Sequence, residues 1–316
     1  TLMAVDDLRV TFPIGGGLFR KPRLLHAVDG VSFTLKNGET LGIVGESGCG
    51  KSTLARAVLK LLPNDGGRVV WLGKDLSDAG KAELRGLRQD FQIVFQDPLA
   101  SLDPRMPVGQ SIAEPLHALE PHLSRSEVTA RVRQTMQRVG LDATWVNRYP
   151  HELSGGQNQR VGIARAMILA PKMVVCDEAV SALDVSIQAE IVALIGRLQR
   201  ETGLSLLFIS HDLAVVRRLC HRVMVLYLGR VVELADSESL YRDPRHPYTR
   251  ALLSAVLTPD PKAERARKRI LLTGDPPSPL DQKAQLRFLK SRLDEEGYRP
   301  RLLEAAPGHF VAEHDT

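Results

Sequence analysis

A glycine-rich segment, lying between an apolar stretch and an amphipathic one, constrains this chain more than any other feature. Residues 45–53 follow the pattern G-x-x-x-x-G-K-[ST] of a phosphate-binding loop. Residues 40–44 before it are apolar and predict a strand, and the apolar spacing of residues 54–62 predicts a helix. Strand, glycine loop and helix together are the context that this pattern needs to bind phosphate.

The residue types of the loop suit phosphate chemistry. Glycines let backbone N–H groups converge on phosphate oxygens, and the following helix adds the positive end of its dipole. Lys51 is expected to reach the β- and γ-phosphates, and the Ser52 hydroxyl to ligate Mg²⁺. The predicted phosphate-binding residues are Gly45, Glu46, Ser47, Gly48, Cys49, Gly50, Lys51, Ser52 and Thr53. The alternative is a chance glycine-rich turn. The motifs found later in the chain argue against that alternative.

Composition sets outer limits on the function. The chain has 316 residues, enough for one large α/β domain and a smaller appendage. Its net charge of +5 is small and spread out, which disfavours a nucleic-acid-binding surface. The apolar runs are too short for a transmembrane helix, and the first residues lack a signal-peptide pattern. Three scattered cysteines predict neither a disulfide framework nor a cysteine metal site, and they fit a reducing, cytosolic compartment.

The remaining chain reads as strands alternating with helices, a pattern that favours a parallel sheet covered on both faces. Residues 99–149 are the exception, because proline and helical spacing dominate there and a helical insertion is expected. Ser124 to Glu127 fits a capping box, and Gly203 is the expected stop of a long amphipathic helix. Strands are predicted at residues 4–12, 31–35, 69–72, 92–95, 173–176 and 204–209, and a hairpin at 223–234.

Two carboxylates, Asp177 and Glu178, follow the apolar strand at residues 173–176. This pair is a weak signal alone, since many strands end in acids, but it gains meaning downstream of a phosphate loop. Asp177 is expected to hold Mg²⁺ through water, and Glu178 to polarise the attacking water. A purely structural role for Glu178 is the alternative.

Six motifs together resemble those of ATP-binding-cassette (ABC) ATPases. Residues 45–53 and 174–178 resemble the Walker A and Walker B motifs, Gln96 the Q-loop and His211 the H-switch. The signature motif is Leu153, Ser154, Gly155, Gly156 and Gln157, and the D-loop is Ser181, Ala182, Leu183 and Asp184. All six occur in the family order and spacing. No guanine-recognition element is present, which disfavours a GTPase, and the signature motif is unexplained in a metabolic kinase.

The resemblance implies an α/β fold: a P-loop NTPase with a RecA-like parallel-sheet core, an N-terminal antiparallel β subdomain, a helical insertion and a small C-terminal extension. The implied boundaries are 1–235 for the nucleotide-binding domain, with its insertion at about 99–150, and 236–316 for the extension.

The resemblance also implies residue roles. Phe12, otherwise an ordinary core aromatic, stacks on adenine. Lys51 holds phosphates, and Ser52, Gln96 and Asp177 serve Mg²⁺. Glu178 acts as general base and His211 contacts the γ-phosphate, while the signature motif serves the nucleotide of a partner subunit.

Residues 246–252 and 274–279 narrow the resemblance to the ATPases of oligopeptide/dipeptide importers. Members of that subfamily often carry a cysteine cluster near the C-terminus, thought to hold an iron–sulfur centre. Here Leu286, Arg292 and Glu313 stand about where those cysteines fall, so no iron–sulfur cluster is predicted. Asn158 replaces a commoner glutamine, with little expected effect.

The resemblance predicts an ATP-hydrolysing subunit that powers import of oligopeptides or dipeptides, peripheral at the cytoplasmic face of the inner membrane. The expected partners are a paralogous ATPase subunit, two transmembrane permease subunits and an extracytoplasmic solute-binding protein, with no nucleic acid. A homodimer in place of the paralogous pair stays open. The alternative is a non-transport ABC ATPase acting on nucleic acid or ribosomes. This chain does not reveal the solute: peptides are expected first, with glutathione, nickel or an opine-like solute open.

Overall fold

The structure is a computed structural model that describes residues 1–15, 22–255, 270, 280, 284, 286–293, 295 and 298–315. The segment at 274–279, which contributed to the family resemblance, lies outside these residues. The strands and helices in chain order are β1 (Met3–Ile14), β2 (Arg23–Leu35), β3 (Thr40–Val44), α1 (Lys51–Val58), β4 (Gly66–Trp71), β5 (Lys74–Asp75), α2 (Lys81–Leu87), β6 (Phe91–Val94), α3 (Pro98–Ser101), α4 (Val108–Leu119), α5 (Arg125–Arg138), α6 (Gly155–Met167), β7 (Met173–Asp177), α7 (Val185–Thr202), β8 (Ser205–Ile209), α8 (Leu213–Leu219), β9 (Arg222–Tyr227), β10 (Arg230–Asp236), α9 (Ser237–Arg242), α10 (Pro247–Ser254), β11 (Leu302–Ala306) and β12 (His309–Ala312).

The chain divides into two compact units. The first contains Thr1–Leu35, Thr40–Ser77 and Ser210–Thr316, and the second contains Lys36–Glu39 and Asp78–Ile209. The phosphate loop and His211 therefore belong to the first unit. The second unit holds Gln96, the signature motif, the Asp177–Glu178 pair and the D-loop.

One sheet of the first unit is the predicted antiparallel β subdomain, with strand order β2-β1-β4-β5. β2 begins at Arg23, eight residues before the predicted start at Val31. Its first five residues are exposed or only half-buried, so the sequence there lacks the apolar alternation of a strand with one buried face. A turn at Asn37 and Gly38 leads from β2 to β3.

The second set of strands in the first unit lies around β9. β3 runs parallel to β9, which forms the predicted antiparallel hairpin with β10. β12 pairs with β10, and β11 with β12, so residues beyond the predicted boundary at 235 contribute two strands. Pro307 and Gly308 form the turn between them, and Gly308 has a φ of 71°. This hairpin was not predicted, although a Pro–Gly pair between two strand-like runs is a recognised turn signal.

The second unit contains the predicted parallel strands and the helical insertion. β6, β7 and β8 pair in parallel. All residues of β7 and β8 are buried, whereas the two central residues of β6 are half-buried. α3, α4 and α5 occupy the predicted helical region, and the Ser124–Glu127 capping box is present. α7 ends at Gly203, which has the left-handed conformation expected of a helix stop.

All three cysteines are buried and carry free thiols. Burial raises the pKa of Cys176, within β7, to about 12, so this thiol stays neutral in the core. In the described part of the chain, no helix combines the length and the apolar character needed to cross a bilayer.

Candidate nucleotide-binding site

The phosphate loop joins β3 to α1 and lies directly against neighbouring backbone. A Cβ added at Gly50 would lie 2.0 Å from the Ala27 carbonyl oxygen, and one at Gly45 would lie 2.3 Å from that of Leu226. Both glycines also have positive φ, 104° and 151° respectively. Only glycine satisfies both conditions, so the sequence pattern is explained by close packing as well as by phosphate access.

The N-terminus of the helix that follows the loop has features that suit an anion. α1 begins at Lys51, no side chain caps it, and its first turn contains no acidic residue. In any α-helix the first N–H groups point out of the helix rather than to an acceptor within it, and the helix dipole is positive at this end. Ser52 and Thr53 are half-buried in the same turn. The terminus therefore fits the β- and γ-phosphates of a nucleotide.

Lys51 is held inside the loop and is only 4% exposed. Its Nζ donates hydrogen bonds to the carbonyl oxygens of Gly45 at 2.8 Å and Glu46 at 2.9 Å. The ammonium group is thereby fixed at the phosphate loop. Cys49 lies beside it, and burial raises the pKa of this thiol, although Lys51 opposes the shift. A neutral, buried thiol at Cys49 packs within the loop rather than acting as a nucleophile.

One support of the loop was not predicted. The N–H of Gly229, in the turn between β9 and β10, donates to the Cys49 carbonyl oxygen at 2.9 Å. The sequence identified Gly229 only as a hairpin turn, because no local pattern shows that the turn lies against the loop. The turn and the loop are therefore joined by one backbone hydrogen bond.

In the second unit, the carboxylate pair ends a buried strand. Asp177 is the last residue of β7 and is 5% exposed. Glu178 follows with a φ of 49°, a left-handed conformation that costs a non-glycine residue about 1 kcal/mol. Its N–H donates to the Ile209 carbonyl oxygen at 3.0 Å, and its own carbonyl accepts from Ser181 N at 3.1 Å and Ser181 Oγ at 2.9 Å. These three bonds fix the backbone from which the Glu178 carboxylate extends.

The signature motif forms the capped start of α6. Gln157 N donates to Ser154 Oγ at 3.3 Å, and Ser154 N donates to Gln157 Oε1 at 2.9 Å, which makes a reciprocal capping box. Ser154 and Gly155 are exposed, whereas Gly156 is buried. Leu153 precedes the cap and is half-buried. The motif is thus a preformed helix start with its first residues at the surface.

The D-loop connects β7 to α7 and packs beside the signature motif. A Cβ on Gly155 would meet Leu183 Cδ2 at 3.6 Å, an ordinary contact. Asp184 is the N-cap of α7, although its side chain makes no capping bond. Ser181 and Ala182 lie between Glu178 and these contacts. The second unit thereby places the Glu178 backbone, the D-loop and the signature motif in one contact network.

The remaining predicted residues lie in three separate elements. Phe12 is half-buried on β1, opposite Leu25 of β2. Gln96 is exposed between β6 and α3. His211 is exposed just before Asp212, whose carboxylate caps α8 through the N–H groups of residues 214 and 215. In the described residues, no group of three or more His, Cys, Asp or Glu side chains has the arrangement of a metal site.

A phosphate loop at a helix start and a carboxylate pair at the end of a parallel strand together define the class of P-loop nucleotide hydrolases. Within that class, the capped signature helix is typical of the ATP-binding cassettes. Residues 28–181 match the family described as ABC transporter, and residues 232–288 match the oligopeptide/dipeptide transporter C-terminal region. The chain belongs to the ABC transporter family, in its oligopeptide/dipeptide branch, and is an ABC-type ATPase.

Individual relatives agree with this assignment. The chain is 56% identical over 283 residues to the oligopeptide transport ATP-binding protein OppF of Salmonella typhimurium, covering 89% of this chain and 85% of that protein. It is 52% identical over 318 residues to OppF of Haemophilus influenzae, covering 98% and 96%. Among solved structures, a dimeric post-hydrolysis state of the ATP-binding cassette MJ0796 bound to ADP and Pi has a TM-score of 0.67 and 28% identity, covering 74% of this chain and 98% of that one. The predicted fold class is confirmed, and the nucleic-acid alternative gains no support from these matches.

Proposed function

We propose that this protein is the ATP-hydrolysing subunit that powers import of oligopeptides or dipeptides through a multi-subunit ABC transporter. The observation that carries the ATPase role is the phosphate loop. Its glycines allow close packing of the backbone, and the start of α1 has no side-chain cap, so both features suit a triphosphate. The solute class rests on similarity to OppF over nearly the whole chain and on the C-terminal match.

Each residue has a proposed role. Lys51 and the loop amides bind and orient the phosphates, and Phe12 stacks on the adenine. Ser52 and Gln96 would hold Mg²⁺, with Asp177 serving it through a water, and the bound metal would supply charge neutralisation at the phosphate oxygens. The buried carboxylate of Asp177 at a strand end is an oxygen donor of the type that Mg²⁺ prefers.

Glu178 handles the proton of the attacking water, and His211 contacts the γ-phosphate. Glu178 takes a proton from the attacking water or orients that water, and its fixed backbone supports this role. Little covalent chemistry falls to the protein, so catalysis consists mainly of positioning and charge stabilisation.

The signature motif is proposed to serve the nucleotide of a second ATPase subunit. Ser154 and Gly155 lie exposed at the start of α6, where a phosphate from a partner can approach. In the single chain the Ser154 N–H is occupied by Gln157. Binding of the partner's phosphate would therefore have to compete with the capping box.

The permease subunits are proposed to dock on the second unit, near Gln96. Phe95, which is 39% exposed, lines a cavity of about 130 Å³ there, and Leu99 in the same segment of the chain is 53% exposed. The cavity is lined in part by Gln159, which is 1% exposed and whose amide atoms have no hydrogen-bond partner among the described residues. Exposed apolar side chains close to a buried amide suit a partner segment that brings both apolar side chains and one polar group. Two permeases, a paralogous ATPase and an extracytoplasmic binding protein complete the proposed assembly, with this chain peripheral at the cytoplasmic face of the membrane.

The test is affinity purification of the full chain from detergent-solubilised membranes of its host, followed by mass spectrometry. Recovery of two polytopic membrane proteins and a second ATPase is the expected result. Transport of a labelled peptide by the reconstituted complex then identifies the solute class. Recovery of ribosomes, or of no membrane protein, would overturn the importer proposal.

A further inference from the structure

A tyrosine from the C-terminal region holds the phosphate loop. The backbone N–H of Glu46 donates a hydrogen bond to the Tyr248 hydroxyl oxygen at 3.0 Å. Tyr248 is the second residue of α10, lies 202 positions further along the chain and is fully buried. The loop is therefore bonded to a helix outside the strand–loop–helix unit that forms it.

This bond acts on one particular peptide group. The carbonyl of Gly45 and the N–H of Glu46 belong to the same peptide plane. Lys51 Nζ donates to that carbonyl at 2.8 Å, and Tyr248 accepts from that N–H. Gly45 has the torsional freedom to let this plane rotate, and bonds at both ends oppose the rotation.

Buried aromatic packing places the Tyr248 ring. Its centroid lies 4.6 Å from that of Tyr227 on β9 and 6.3 Å from that of Phe288. Phe288 also lies edge-on to the His246 ring at 5.1 Å. Rings packed on several sides leave the Tyr248 hydroxyl little freedom to leave the loop.

A chain of hydrogen bonds fixes the start of α10. Tyr248 N donates to His246 Nδ1 at 3.2 Å, and His246 N donates to Glu233 Oε2 at 3.0 Å. Glu233 is fully buried, and its other oxygen lies 2.7 Å from Nε2 of His309 on β12. Burial, with His314 nearby, lowers the pKa of His246 to about 3, so its ring stays neutral and accepts the bond. The C-terminal hairpin is thus connected through buried polar groups to the residue that holds the loop.

We propose that Tyr248 is a positioning residue for the phosphate loop, through which the C-terminal region sets the affinity of this cassette for ATP. The inference rests on the proposed ATP-binding role of the loop. Apparent affinity falls in proportion to the fraction of molecules with the loop in its binding form. Without the Tyr248 hydroxyl, the Glu46 N–H loses its buried acceptor and other loop conformations gain population.

The test replaces Tyr248 with phenylalanine, which keeps the ring packing and removes only the hydroxyl. The matched control is Tyr227→Phe, in the same aromatic cluster, because no hydrogen bond joins the Tyr227 hydroxyl to the described phosphate loop. The full chain is titrated with a non-hydrolysable ATP analogue and Mg²⁺. Because one net hydrogen bond is involved, Y248F is expected to weaken binding about two- to tenfold, with Y227F unchanged.

Two further readouts separate loop positioning from a general loss of structure. Hydrogen exchange is expected to rise in Y248F within the peptide spanning residues 41–53, and to stay unchanged across β6–β8. In the reconstituted transporter, the KM for ATP is expected to rise while kcat stays near that of the wild type. If the wild-type chain fails to bind the analogue, the proposed function itself is wrong. Wild-type affinity and loop exchange in Y248F, or an equal effect of Y227F, would overturn only the role of Tyr248.

Discussion

Gly156 of the signature motif lies against Ile187 of α7 so closely that an added Cβ would lie 2.5 Å from Ile187 Cγ2. Gly156→Ala is therefore expected to destabilise the protein by about 1–3 kcal/mol through overpacking. Thermal unfolding of the purified chain measures the loss. Gly155→Ala is the control, since its nearest contact would be an ordinary 3.6 Å.

A double mutant tests whether the contact with Ile187 causes the loss of stability in G156A. Ile187→Ala removes the clashing methyl group, so the melting temperature of G156A is expected to recover in the G156A/I187A chain. Failure to recover would show that Gly156 is required for a reason other than the Ile187 contact.

Glu178→Gln is expected to keep affinity for ATP and to lose turnover. The amide preserves the size of the side chain and removes its basic charge, and a general base contributes about 10²- to 10⁴-fold in rate. Phosphate release by the assembled transporter and analogue binding by the isolated chain are the two measurements. Glu190→Gln, an acid-to-amide change at an exposed residue, should leave both unchanged. Normal steady-state hydrolysis in E178Q would remove Glu178 from the proposed role.

Lys51→Ala is expected to weaken binding of an ATP analogue about ten- to hundredfold, because hydrogen bonds to charged groups contribute about 1.5–3 kcal/mol. The change also removes the two bonds that Lys51 donates to loop carbonyls. Calorimetric titration measures the affinity, and Lys172→Ala, at an exposed lysine, serves as the control. Equal affinities of K51A and the wild type would contradict the phosphate-loop assignment.

Glu313 is expected to make stability depend on pH in the acid range. Hydrogen bonds from Arg301 and then Tyr298 lower its pKa from about 4.5 to about 2. A carboxyl whose pKa is depressed by folding stabilises the protein fully above its unfolded pKa, and this contribution fades as pH falls toward the folded value. The difference in melting temperature between wild type and Glu313→Gln should therefore be largest above about pH 5 and shrink at lower pH. A difference that stays constant from pH 6 down to pH 3 would contradict this account, and Arg301→Gln should reduce the pH dependence by removing the main partner.

Much of the chemistry of this protein depends on local patterns in its sequence. The phosphate loop, the capping box at Ser124 and the Gly203 helix stop each depend on residues a few positions apart, so the sequence predicts them. The first part of β2 was not predicted, because its residues are exposed or half-buried and show no alternation of apolar and polar side chains.

What the sequence did not reveal depends on contacts between distant segments. Gly229 supports Cys49, and Tyr248 supports Glu46, across most of the length of the chain. Nothing in the spacing of these residues indicates that they meet, because register and packing bring them together only in the fold. The C-terminal hairpin is an intermediate case, since Pro307 and Gly308 carried a turn signal among many prolines.

The pairing of β12 with β10 has a consequence for handling the protein. β10 would otherwise present unpaired backbone groups along one side, and an uncovered strand edge is a template for joining other chains. A chain shortened to end at Asp236 would uncover that edge and be prone to intermolecular sheet formation. The C-terminal hairpin thus protects solubility as well as adding to the fold, and its outer strand β11 carries the exposed charge of Glu304, which discourages further pairing.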